Sequence, residues 1–122
     1  MKREAVILES ITPSLVAEIR DRIIEYLDPD KIILFGSAAR NDVKEPHDID
    51  IYVIKEGLQD VREVERRIDE LFAGRLFALD VIVRTPEQVE ASLRGGNSFL
   101  LQQILAKGRI LYDKQQFKTI LS

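Results

Sequence analysis

The sequence predicts a small α/β sandwich, with helices covering one face of a sheet and acidic residues on the other. Short apolar runs at Lys31 to Phe35, Asp48 to Ile54 and Leu76 to Val83 alternate with longer stretches of helical spacing. Thr12-Pro13 and Thr85-Pro86 each place a capping hydroxyl before a proline suited to the first turn of a helix. Aspartates interrupt two of the apolar runs, where a carboxylate has no structural advantage.

The elements follow in order. After Thr12-Pro13, the spacing of Leu15, Val16, Ile19, Ile23 and Leu27 predicts a first helix that stops near Asp28-Pro29. Lys31 to Phe35 is short and bounded by turn residues, as a buried strand would be. Ser37 to Arg40 opens a short helix, and a polar loop from Asn41 to His47 leads to the second strand, Asp48 to Ile54. Val61, Val64, Ile68, Leu71 and Phe72 mark an amphipathic helix over Gln59 to Phe72, with Gly74 near its end. Leu76 to Val83 is the third strand, and Thr85 to Leu93 the next helix. Gly95-Gly96 breaks the chain. Asn97 then caps a helix with Leu100, Leu101, Ile104 and Leu105 in its apolar stripe, ending at Gly108 before a short strand from Arg109 to Tyr112.

Composition narrows the function. At 122 residues the chain reads as one domain, 1–122, without repeats or linkers. With 45% hydrophobic and 32% charged residues it has the make-up of a globular protein. The formal charge of -3 argues against broad nucleic-acid binding, which needs a basic face. The absence of cysteine excludes disulfides and thiolate chemistry, and the lone His47 excludes a multi-histidine metal centre. No apolar stretch is long enough to span a membrane, and Glu9 cuts short the apolar run after Lys2-Arg3, so a cytoplasmic location is expected.

The candidate site lies in the strands. Side chains alternate along a strand, so Asp48 and Asp50 share a face opposite Ile49 and Ile51. Paired carboxylates repel, and a divalent cation is the usual remedy. Asp80, inside Leu76 to Val83, would complete an oxygen-donor set of the kind Mg²⁺ prefers. Gly36-Ser37 follows a strand and precedes a helix, where bare backbone and a hydroxyl suit a phosphate. Each feature also has a plain structural reading: a capped turn, solvated strand acids, a buried salt bridge from Asp80 to Arg40 or Arg84. Arg40 either neutralises phosphates or anchors the Gly-Ser helix. His47 either contacts a nucleotide or acceptor, or is a loop residue. Lys31 and Lys44 read as surface charges.

Taken together, Gly36-Ser37-Ala38-Ala39-Arg40, Asp48-Ile49-Asp50-Ile51 and Asp80 resemble the polymerase-beta-like nucleotidyltransferase superfamily, and in particular its minimal nucleotidyltransferase (MNT) branch. The likeness runs from about Ile11 to Tyr112, and Phe99-Leu100-Leu101 with Gly108-Arg109-Ile110-Leu111-Tyr112 shares it. It implies a nucleotidyltransferase-like sandwich with a mixed sheet. It further implies that Gly36 and Ser37 bind the nucleotide, with Arg40 taken as a nucleotide-binding candidate beside them, that Asp48, Asp50 and Asp80 hold two Mg²⁺ ions, and that Asp80 also acts as base. Two positions depart from the pattern: His47 stands where serine is frequent, and Asn41 where glycine is.

Larger relatives carry acceptor-binding domains for which this chain has no room. Minimal members pair with a helical HEPN protein, an RNase-type toxin, so the resemblance implies an antitoxin that transfers AMP from ATP to a tyrosine of that toxin. Phe117, Ile120 and Leu121 in the tail and Phe99 outside its helix's main stripe are compatible with such a partner. Two other readings compete: an antitoxin or nucleotide-binding module that acts by occlusion without chemistry, and a small-molecule nucleotidyltransferase completed by dimerisation. The intact acidic triad favours an enzyme.

Overall fold

The computed structural model describes residues 10–40 and 48–116. Its first helix, α1 (Pro13–Leu27), starts as the sequence predicts: Thr12 Oγ1 accepts a hydrogen bond from the Leu15 N–H at 3.1 Å, and proline takes the first turn. It ends at Asp28, which adopts the left-handed conformation (φ 49) that aspartate tolerates better than most residues. Strand β1 (Lys31–Phe35) follows, then a single 3₁₀ turn over Ser37–Ala39 and strand β2 (Asp48–Ile54). Helix α2 (Val61–Leu71), strand β3 (Ala78–Arg84), helix α3 (Pro86–Arg94), a π-helix over Leu100–Ala106 and strand β4 (Arg109–Asp113) complete the order.

The four strands form one mixed sheet in the order β3-β2-β1-β4. β1 pairs antiparallel with both β2 and β4, while β2 and β3 run parallel. One face of the sheet packs on α1 and α2 through Ile19, Ile23, Ile32, Ile49, Ile51 and Ile68, none of which is exposed. This is the main core, and the alternation of β2 generates it: Ile49, Ile51 and Val53 point inward, Asp48 and Asp50 away.

The second face is less bare than the sequence suggests. Ile33, Phe35 and Tyr52 form a smaller apolar cluster there, closed by Leu100 and Ile104 of the π-helix and flanked by Val89 and Leu93 of α3. Helices therefore cover this face too, and the acidic residues hold the part of it next to Phe35. The physical reason is that β1 is apolar on both sides, so its second face also needs cover.

Two local expectations are revised. The helix after Asn97 is of the wider π type, so Leu100 and Ile104 form its buried line while Leu101 and Leu105 are exposed at 45% and 43%. Asn97 does start it, its Oδ1 accepting from the Leu100 N–H at 3.1 Å. β3 begins at Ala78 and not at Leu76, because the chain is still turning there: the Arg75 N–H donates to the Phe72 carbonyl, and its guanidinium binds Asp69 at 2.7 Å. Among the described residues no helix is long and apolar enough to cross a membrane.

At the start of α3 the capping box is complete. Thr85 Oγ1 accepts from the Gln88 N–H at 3.2 Å, and Gln88 Oε1 accepts from the Thr85 N–H at 2.9 Å, with Thr85 buried. Thr85→Ala is expected to lower unfolding stability by about 1 kcal/mol. An unchanged urea midpoint would show that the cap contributes nothing.

Candidate active site

The register of β2 assembles the site. In its parallel pairing with β3, Asp50 stands directly opposite Asp80, and Asp48 opposite Ala78. In its antiparallel pairing with β1, Asp50 stands opposite Phe35. Paired residues share a face, so Asp50 lies between Asp80 on one side and Phe35 on the other, with Asp48 on the same face two residues back. The sequence places Asp48 and Asp50 on a common face, and the sheet does so and adds Asp80 to them.

Gly36 comes directly after Phe35 and has φ 71 with ψ -155, a region that is essentially glycine's own. A Cβ on Gly36 would collide with Oδ2 of Asp50. The glycine is thus needed to admit a carboxylate of its own chain, a role the sequence does not reveal because it depends on strand register. Ser37 opens the 3₁₀ turn, which lies against β2, and the Arg40 N–H closes it by donating to the Ser37 carbonyl at 3.2 Å. The Arg40 side chain is exposed. His47, Asn41 and Lys44 lie outside the described residues, as do Phe117, Ile120 and Leu121.

Asp80 differs from its expected setting. It is exposed, because β3 is the edge strand and its site-bearing face is open at this point. Nor does Arg84 serve it: that guanidinium pairs with Glu65 at 3.3 Å and with the Val83 carbonyl. Glu65 Oε2 also accepts from the Val83 N–H at 2.8 Å and so occupies part of the outer edge of β3. Lys31, expected as a surface charge, is partly exposed and pairs with Asp113 at 3.6 Å.

The electrostatics mark Asp50 as the strained member. Burial lifts its carboxyl from 3.8 to about 6, helped by the charges of Asp80 and then Asp48 and by a hydrogen bond shared with Asp80. The folded protein therefore holds a proton that the unfolded chain releases between about pH 4 and 6. Without metal, stability is expected to fall as pH rises through that window, and to recover when the charge is balanced. Thermal unfolding in chelator from pH 4.5 to 8 checks the sign; a rise in Asp50-dependent stability with pH would contradict it.

Among the described residues the site's donors are three carboxylates, a set suited to a hard divalent cation. Among the described residues, no group of three or more histidine, cysteine, aspartate or glutamate side chains is arranged to hold a metal ion. Mg²⁺ typically takes only one or two protein carboxylates and completes its shell with water and substrate phosphates. The residues present fit such an ion.

Sequence reasoning missed the aromatic surround. Phe35 is buried beside Asp50, and the ring of Phe99 meets it edge-on, 5.9 Å between centroids with an 89° interplanar angle. Phe99 itself is 49% exposed. Its position outside the helix's main stripe was visible in the sequence; its place above Phe35 was not.

A mixed sheet with acidic residues on adjacent central and edge strands, beside a Gly-Ser turn, is the arrangement that the sequence resemblance leads one to expect. The family model "Polymerase beta, Nucleotidyltransferase" matches residues 17–117, and the chain belongs to that family. Its fold is similar to that of a crystal structure described as a "putative nucleotidyltransferase" from Sulfolobus solfataricus, with a TM-score of 0.58 and 18% identity over 84% of this chain and 81% of the other. No curated protein matches the chain.

Proposed function

We propose that the chain is a Mg²⁺-dependent nucleotidyltransferase of the minimal type, one that moves AMP from ATP to a hydroxyl on a partner protein. The family carries the general activity. The observation that carries the site is the placement of Asp50 against Asp80 and beneath Gly36. That juxtaposition supports reading the carboxylates as metal ligands and the adjoining Gly-Ser turn as the phosphate-binding segment. Asp48, Asp50 and Asp80 would hold the ions. Bound Mg²⁺ supplies charge neutralisation for the attacking and leaving oxygens of an in-line displacement.

The chain's own groups do the rest. Gly36 and Ser37 hold the triphosphate, Ser37 by donating its hydroxyl to a phosphate oxygen, and Arg40 adds positive charge. Asp80, exposed on the outer strand, takes the proton of the acceptor hydroxyl. The acceptor oxygen bonds to the α-phosphorus as the bond to the bridging oxygen breaks, and pyrophosphate leaves.

The acceptor in this reading is a tyrosine of a helical HEPN-type toxin, which makes the chain an antitoxin acting in the cytoplasm. Its support is the sequence resemblance to the minimal branch, together with apolar surface on the π-helix and β4. Leu101, Leu105 and Ile110 are 43% to 53% exposed there, as at a surface suited to a protein neighbour.

Label transfer tests this. The protein, Mg²⁺ and ATP labelled at the α-phosphate are incubated with the protein encoded beside it, with γ-labelled ATP and added chelator as controls. Label from the α position alone, lost in chelator, is the expected result. Label from the γ position would indicate a kinase. No label despite tight binding to the neighbour would indicate neutralisation by occlusion. Mg²⁺ is also expected to raise the melting temperature at pH 7.5 and to do so less at pH 5, where protons compete for Asp50.

A further inference from the structure

We infer that Phe99 is the nucleobase platform of this site, stacking on the base of the nucleotide whose phosphates lie at Gly36-Ser37; the inference rests on the nucleotidyltransferase reading above. The strand order gives the site two sides. Asp80, on β3, is at one sheet edge, Asp50 is on β2, and Phe35, Gly36 and Ser37 belong to β1 and its turn. If Asp80 receives the acceptor's proton, the acceptor approaches from the β3 side. The nucleotide then extends over β1, and the ring found there is Phe99.

The geometry suits the role. Phe35 is 7% exposed and cannot itself offer a face to a ligand, but it meets Phe99 edge-on at 5.9 Å and holds that ring in place. Phe99 keeps 49% of its surface in solvent, directly before the π-helix whose Leu100 and Ile104 are anchored in the core. Asn97 fixes the approach of the chain through its hydrogen bond to the Leu100 N–H. A half-exposed aromatic ring braced by a buried neighbour suits a planar ligand, because every base has a π face. Stacking of this kind tolerates any base, so Phe99 contributes affinity more than base selectivity.

The chain has no tryptophan, so Phe99→Trp introduces a sole indole reporter. Its fluorescence is followed while Mg²⁺ with ATP, or Mg²⁺ with inorganic tripolyphosphate, is added. Binding of both ligands to the unmodified protein, Phe99→Ala and Phe99→Leu is measured by calorimetry. ATP is expected to quench the indole and tripolyphosphate to leave it unchanged. Phe99→Ala and Phe99→Leu should each weaken ATP about tenfold, Leu somewhat less, with tripolyphosphate affinity intact. Equal ATP affinity in Phe99→Ala and the unmodified protein would overturn the inference, as would equal loss of both ligands, which marks a structural role. If the unmodified protein binds neither ligand, the nucleotidyltransferase reading itself fails and takes the platform with it.

Discussion

Asp50→Asn is expected to abolish nucleotidyl transfer while raising the thermal stability of the metal-free protein. The activity loss should be on the order of a thousandfold, the scale seen when an electrostatic group facing the developing charge is removed. The stability gain comes from the same source. Asp50 is pushed up to about 6 by burial and by its two acidic neighbours, so at neutral pH its charge opposes folding. Discounted for the group's partial solvent access, the relief is about 1 kcal/mol at pH 8. The amide preserves shape, and its oxygen still faces Gly36. Opposite signs in the two measurements separate a functional carboxylate from a structural one. Equal losses of activity and stability would mean that Asp50 holds the sheet together, and the proposed site would have to be abandoned.

Gly36→Ala is expected to cost both. The backbone at φ 71, ψ -155 is strained for any residue with a Cβ, by about 2 kcal/mol. The new methyl would also meet the Asp50 carboxylate, which must swing away from Asp80 or push β1 from β2. Together these should lower stability by roughly 3 kcal/mol and remove measurable transfer. Adding Asp50→Ala divides the two contributions: it should restore the part due to collision and leave the backbone part. A Gly36→Ala variant as stable as the unmodified protein would show that the turn relaxes freely.

Much of this was legible in the sequence. Alternation along β2 separates Ile49 and Ile51 from Asp48 and Asp50, and a period of two admits no other reading. The Thr-Pro signals place both helix starts to the residue, since capping is a local hydrogen bond between near neighbours. What stayed hidden is set by pairing between distant segments. The exposure of Asp80 follows from β3 being an edge strand, and the need for glycine at 36 follows from Phe35 facing Asp50. Neither relation is written in any short window. The π-helix is likewise a matter of tertiary fit, because the spacing of Leu100, Leu101, Ile104 and Leu105 suits an ordinary helix equally well.

The three aspartates are split between an inner and an outer strand of the sheet. Asp48 and Asp50 sit on β2, which is hydrogen-bonded on both sides, whereas Asp80 sits on β3, whose outer edge receives Glu65 at Val83. If the proposed reaction holds, substitutions on the outer strand would reshape the entrance for the incoming hydroxyl while the inner carboxylates keep their register. A scaffold built this way can change clients during evolution without reinventing its chemistry.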